Sequence, residues 1–387
     1  MVSFVLNKTT TFNVMDSEAT GDGKTDDSHA FLKAWKAVCQ SQVSHPVLVI
    51  PAQRTFLLKP LTFKGPCESS GIFVQIFGNI VAPDRQSAWK GYHINSWIVF
   101  ENINQLTVNG SGQIDGQGSA WWMHPCLPDQ SHGQKCKGPT AMIFRRCNGL
   151  RLNGLTHKNS PGSHIIVTAS NDVVISNLHI VAPENSRNTD GIDIASSSKV
   201  KISDCQIHTG DDCIAIEGGS SNINITNVIC GPGHGISIGA LGHGGYDTVE
   251  EVHVKNCTLT GTTNGVRIKS WQGGKGFAKK ISFEQIKFVS VDNPITINQF
   301  YCPNRQKCPN KTSAIALSDI SYSKIVGTSI TDQVINLSCS ETFGCTGIAF
   351  DDVYLTSKTP GNKVYAKCIN AQGKFSHTLP TVTCLQI

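Results

Sequence analysis

One alternating pattern recurs along this chain and limits what it can become. A short β-branched segment opens at Leu106, Leu150, Val173, Val200, Ile223, Val252, Ile281, Ile320 and Ile348. Each closes a few residues later on a polar side chain, Asn177, Asp204, Asn227 and Asn256 among them. Where no insertion intervenes, the steps run from 23 residues (Leu150 to Val173) to 29 (Val252 to Ile281). A near-constant period in this range marks stacked repeats. Apolar and polar residues alternating at period two read as half-buried strands. No long helical pattern separates the segments, as a βαβ fold would require. The chain is therefore expected to be all-β, a single-stranded parallel β-helix of about ten rungs, each burying its apolar face on the next. A long β-sandwich is the rival architecture, and it does not account for the period.

A coil of this kind relaxes the usual argument from length. A chain of 387 residues would otherwise suggest two or three domains. No charge run, Ser/Pro tract or low-complexity linker interrupts it, so residues 1–387 are expected to form one unit. A short helix within about 27–40 is expected to cap the first rung, since a bare end leaves strand edges and core open. There Asp26, Asp27 and Ser28 offer capping oxygens, and Phe31, Leu32, Trp35 and Val38 offer an apolar face. Two insertions, 117–139 with Trp121, Trp122 and Cys126, and the Gly-rich 239–247, are where binding loops are expected.

The formal charge of +5 is too small to argue for nucleic acid but suits an acidic partner. No stretch is apolar enough to span a membrane. Residues 1–14 lack an apolar run of signal-peptide length, so the chain is expected to begin at the mature protein. Fifteen cysteines and six Asn-X-Ser/Thr sequons (Asn7, Asn109, Asn224, Asn256, Asn310, Asn336) point to an oxidising secretory route and an extracellular destination. Asn256, in a rung turn, is a candidate for burial. Cys302/Cys308, Cys339/Cys345 and Cys368/Cys384 read as loop staples, and Cys213 with Cys230 as a tie between rungs. Cys147, Cys205 and Cys257 read as buried small hydrophobes, and the odd count leaves at least one free thiol or an intermolecular bond. No Cys-X-X-Cys spacing suggests zinc.

Three polar strings interrupt the pattern at steps of about one rung: Asn188-Thr189-Asp190, Gly210-Asp211-Asp212 and Gly233-His234-Gly235. If the rungs stack, with strands roughly 4.8 Å apart, Asp190, Asp211 and His234 occupy successive rungs on one face. Crowded carboxylates repel one another, and at least one is held protonated. A protonated acid beside an ionised one is what cleavage of a glycosidic bond needs. One rung on, Arg267 and Lys269 flank Ile268 and point to the same face, where two cations would hold an anionic substrate. Tyr301 adds a hydroxyl and an aromatic face. Singly, each string has a plainer explanation as a turn or an exposed strand; their joint register argues otherwise. A metal site built on the three aspartates is the chemical rival, and Arg267 and Lys269 oppose it, so neither metal nor cofactor is expected.

The four strings, Asn188-Thr189-Asp190, Gly210-Asp211-Asp212, Gly233-His234-Gly235 and Arg267-Ile268-Lys269, occur in the order in which they resemble the signature motifs of polygalacturonases, glycoside hydrolase family 28. The resemblance runs from Phe12 to about Cys302 and more loosely beyond, and it is closest to plant members around 231–237 and 266–276. It implies a right-handed parallel β-helix and metal-free hydrolysis, with inversion, of α-1,4 bonds in homogalacturonan. It also implies an acidic polysaccharide as partner and the cell wall as location, for an enzyme expected to be a monomer. By position it makes Asp211 the general acid, with Asp190 and Asp212 activating water and His234 supporting Asp211. Arg267, Lys269, Tyr301 and Asn188 become substrate contacts. One departure is visible: residues 15–20 replace the usual Phe/Tyr-Gly-Ala stretch, which puts the packing of the amino-terminal cap in question. A rhamnogalacturonan or xylogalacturonan hydrolase, a calcium-dependent lyase and a non-catalytic pectin-binding β-helix are the alternatives. The intact acid cluster opposes the last two.

Overall fold

The computed structural model describes residues 10–92, 95–123, 137–302, 308 and 310–386. Every recurring segment becomes a strand, and every strand pairing is parallel. Val173 pairs with Val200, Val200 with Ile223, Ile223 with Val252, Val252 with Ile281, Ile281 with Ile320, and Ile320 with Ile348. The repeat seen in the sequence is thus the register of the sheet. A second, eleven-stranded sheet runs alongside it among the described residues, from Leu61–Lys64 to Tyr365–Ile369. The result is the expected parallel β-helix. Inward-facing aliphatics fill it: Ile192, Ile214, Ile236 and Val266 lie in one column at 0 % exposure. Burying such side chains contributes about 1.5–3 kcal/mol each.

The polar residue that closes each segment has a backbone reason. Asn177, Asp204, Asn227 and Asn256 all turn the corner with φ between 53° and 57°, a left-handed conformation that Asn and Asp tolerate better than other side-chain-bearing residues. Their side chains then join neighbouring rungs: Asn227 Nδ2 donates to Asp204 Oδ1 and Asn256 Nδ2 to Asn227 Oδ1, both at 2.8 Å. Asn256 is therefore exposed, not buried, with its amide in this ladder. Cys147, Cys205 and Cys257 are buried and unpaired.

The amino-terminal cap is the helix Ser28–Cys39. Phe31, Trp35 and Val38 are buried as expected, but Leu32 is 39 % exposed, and Ala30 and Ala34 take the inner face instead. Asp27 makes no capping bond. It is buried and accepts from the backbone N–H groups of Thr20 and Gly21, tying the helix start to the chain that precedes it. The divergent stretch that leads there forms a short 3-10 turn, Val14–Ser17, with Val14 buried. Trp35 donates its indole N–H to the Lys64 carbonyl at 3.1 Å, and a Cys39–Cys67 disulfide, a pairing not legible in the spacing, anchors the helix end. The other four described disulfides are those expected: Cys213–Cys230, Cys302–Cys308, Cys339–Cys345 and Cys368–Cys384. Within the 117–139 insertion, Trp121 belongs to the core, packed edge-on against Trp89, while Cys126 lies outside the described residues.

Rings of Phe283, Tyr322 and Phe350 stack through the carboxy-terminal half at centroid distances of 5.3 and 4.8 Å. The Tyr322 hydroxyl is buried there without a partner among the described residues. An unsatisfied buried hydroxyl costs about 1–3 kcal/mol, so Tyr322→Phe should raise the unfolding free energy by about 1 kcal/mol in urea titration. A lower value would show that the hydroxyl has a partner.

Candidate active site

The site follows from one pairing. Ile192 pairs with Ile214 and Ile214 with Ile236, two steps of 22 residues. Counting back two residues sets Asp190 opposite Asp212, and Asp212 opposite His234. The backbone bonds Gly191 N–H to Asp212 O (2.9 Å) and His234 N–H to Asp211 O (2.8 Å) hold that register. The spacing argument had put Asp211 in the column; the structure puts Asp212 there, with Asp211 one residue outside it. The consequence is a division of environments. The Asp212 side chain is 2 % exposed, whereas that of Asp211 is 18 % exposed.

Small residues make these turns possible. Asn188 turns with φ 56°. Thr189, fully buried, donates its hydroxyl to the Ser186 carbonyl and accepts the Gly210 N–H, each at 3.0 Å, so it ties the first turn to the second. Gly210 must lack a side chain, because a Cβ would lie 2.0 Å from the Ser186 carbonyl oxygen. Beneath Asp190 sits His164, fully buried. Its Nε2 accepts the Ser160 N–H and its Nδ1 lies 3.1 Å from the Asp190 carbonyl, so Nδ1 carries the proton. Burial lowers the His164 pKa to about 4, keeping the ring neutral. The Cys213–Cys230 disulfide fastens the second turn to the strand Ile229–Cys230.

Charge is arranged around Asp212. Lys269 Nζ donates to its Oδ2 and Arg267 Nη2 to its Oδ1, both at 2.8 Å, and the Ser237 hydroxyl also donates to Oδ1 at 2.8 Å. The two cations read from the sequence as a free clamp are thus partnered by a carboxylate, and the three groups sum to a single positive charge. Arg267 Nη1 has no partner among the described residues and remains for a ligand. Asp211 faces His234: Oδ1 and Nδ1 are 2.8 Å apart, and Asn188 Nδ2 lies 3.4 Å from Oδ2. Burial pushes the Asp211 pKa up, but the His234 hydrogen bond and charge, with Lys269, outweigh it and lower the net value. His234 is raised, chiefly by that same bond. The carboxyl whose pKa is raised is instead Asp190, first by burial and then by Asp193, Asp211 and Asp212. Asp193, 8 % exposed and absent from the sequence reading, is raised to about 7, mostly by burial. Ser237, Thr189 and His164 were missed as well. Ser237 shares the register position of Arg267 one rung earlier, and only the strand pairing reveals this.

Tyr301 pairs with Trp271 across adjacent strands, and its ring centre lies 5.5 Å from Lys269 Nζ. All eight residues singled out in the sequence thus fall on neighbouring rungs. Asp211, Asp212 and His234 offer ligand atoms within 4.8 Å of one another. They do not fit a metal: both Asp212 oxygens already meet cations, and His234 Nδ1 is engaged by Asp211.

The fold is a parallel β-helix, and the site on it is a cluster of carboxylates held against two cations. The chain belongs to the glycosyl hydrolases family 28, whose profile matches residues 39–379, and it is a glycoside hydrolase. It is 47 % identical to a probable polygalacturonase of Arabidopsis thaliana over 99 % of this chain and 83 % of that protein. It is 42 % identical to a polygalacturonase of Persea americana over 96 % of this chain and 79 % of that protein. Among solved structures, an endo-xylogalacturonan hydrolase from Aspergillus tubingensis superposes with a TM-score of 0.80 at 26 % identity, covering 92 % of this chain and 97 % of that one.

Removing one member of a buried ion pair costs about 3–5 kcal/mol because its partner is left unpaired. Asp212→Ala should therefore lose about 3 kcal/mol in denaturant titration, and Asp211→Asn, at the half-exposed position, far less. Equal losses would mean that Asp212 does not hold Arg267 and Lys269.

Proposed function

We propose that this protein hydrolyses α-1,4 bonds of polygalacturonate, as one catalytic unit spanning the chain, in the secretory and cell-wall environment that its disulfides suit. The observation that carries this reading is the single net positive charge of Asp212, Arg267 and Lys269 beside the Asp211–His234 pair. One excess cation suits one uronate carboxylate, with the free Arg267 nitrogen and two further Lys269 protons to bind it. Tyr301 flanks that sugar, and Asn188 orients Asp211 or touches the substrate.

Asp211 and His234 hold one transferable proton between them. A leaving glycosidic oxygen that approaches Asp211 Oδ1, the oxygen facing His234, takes it as the glycosidic bond breaks, and Asp211 is left a carboxylate. Asp212, its charge fixed by two cations, orients the attacking water, and Asp190 accepts the water's proton. Attack from the face opposite the leaving group inverts the anomeric centre. No step calls on a metal, and chelators should leave the rate unchanged. The polygalacturonase relatives favour an unbranched substrate. The xylogalacturonan hydrolase neighbour supports a second reading in which the same backbone carries xylose; rates on the two polymers decide between them.

The pKa directions set a pH profile. Asp190 must lose its proton to act as base, so the rate should rise with pH through its raised range. The Asp211–His234 pair must keep its proton, so the rate should fall as pH passes the raised His234 value. A bell-shaped kcat/KM profile is expected, with the alkaline limb moved by His234→Gln. Asp211→Asn should lower kcat by at least about a hundredfold in a reducing-end assay on polygalacturonate while leaving Kd nearly unchanged. Near-normal turnover by that variant would overturn the acid assignment.

A further inference from the structure

The strand Gln333–Ser338 lies two rungs beyond the cation pair in the same sheet. Arg267 pairs with Thr296, and Thr296 with Asn336. Ile335 and Leu337 are fully buried while Asn336 is half-buried, so Asn336 faces outward on the column of Ser237 and Arg267. At roughly 4.8 Å per rung it stands about 10 Å past Arg267. Lys367 follows on the next rung and is exposed.

Asn336-Leu337-Ser338 is also a sequon. The other described sequons are placed differently. Asn109 and Asn224 lie on the other sheet, and Asn224 and Asn256 donate their amides to Asn222 and Asn227. Asn310 lies outside any strand. At Asn336 the Ser338 hydroxyl donates to Oδ1 at 2.9 Å, and Nδ2 has no partner among the described residues.

We propose that Asn336 carries an N-linked oligosaccharide, which closes one end of the substrate groove. The inference rests on the secretory route proposed above and on the polygalacturonate bound at Arg267, whose path along the outward face of this sheet is the groove. Transfer comes from a lipid-linked oligosaccharyl diphosphate, before the strand is folded. The bond from the sugar C1 to the Asn336 Nδ2 forms as the C1–O bond to diphosphate breaks. The lipid diphosphate leaves, and one Nδ2 proton passes to a base. In the folded protein the glycan rises from the floor between Arg267 and Lys367. An acidic polymer held at Arg267 can cover Thr296, but it is kept from Lys367, the next cation on the column, and must leave the floor.

The protein secreted from a eukaryotic cell provides the test. Enzymatic deglycosylation in heavy-oxygen water should convert Asn336 to labelled Asp in peptide mass spectra; Asn336 recovered unlabelled, beside a labelled Asn310, would overturn the assignment. Asn336→Gln and Ser338→Ala each remove the acceptor by a different residue. Both should lower KM for long polygalacturonate at least about threefold while leaving KM for short oligogalacturonates unchanged. Unchanged KM on long chains in both variants would refute closure of the groove. Occupancy is read without any activity, so a wild-type protein inactive on polygalacturonate would overturn the functional reading and groove closure, and leave the glycan assignment to stand or fall on the mass spectra.

Discussion

Everything in this molecule depends on the parallel pairing of one rung with the next. Ile192, Ile214 and Ile236 stack at 22-residue steps, and their burial fixes the phase of each strand. A slip of one residue would turn these side chains to solvent and the acidic ones to the core. The hydrophobic interior therefore sets which polar groups meet. Asp190, Asp212 and His234 share a column because their apolar neighbours do.

Within that frame the ion group of Asp212 does most to shape the chemistry. Arg267 and Lys269 reach one buried carboxylate from two rungs away, and Ser237 on the rung between completes its hydrogen bonds. Desolvating three charges is costly, and two short ion pairs with a hydroxyl offset that cost. The arrangement leaves Asp211 as the more open carboxylate, paired with His234. The neighbouring groups are shifted unevenly as a result: burial raises Asp190 and Asp193, while the bond between Asp211 and His234 lowers the first and raises the second.

Much of this was legible in the sequence, for reasons that are themselves physical. The period survives in the sequence because every rung needs inward β-branched residues and a corner residue that accepts positive φ, and Asn177, Asp204, Asn227 and Asn256 supply it. Spacing brought the four strings together but was too coarse to choose between Asp211 and Asp212, since adjacent residues differ by only one step and the turn decides which enters the column. Helix periodicity named Leu32 as well as Phe31, but only the position of the first rung determines which side is covered. Asp27 looked like a cap because capping chemistry is local, and the backbone amides that claim it come from Thr20 and Gly21. Ser237 and His164 carry no motif at all; their roles are created by contacts between rungs.

In the proposed reaction a water held by Asp212 and Asp190 attacks in one step while the Asp211–His234 pair protonates the leaving oxygen. Proton NMR of the first products released from polygalacturonate tests this most directly, by reading the anomeric configuration before mutarotation. The account predicts the β-anomer, formed by inversion of the α-linkage. Early accumulation of the α-anomer would mean a covalent sugar–enzyme intermediate and would contradict it.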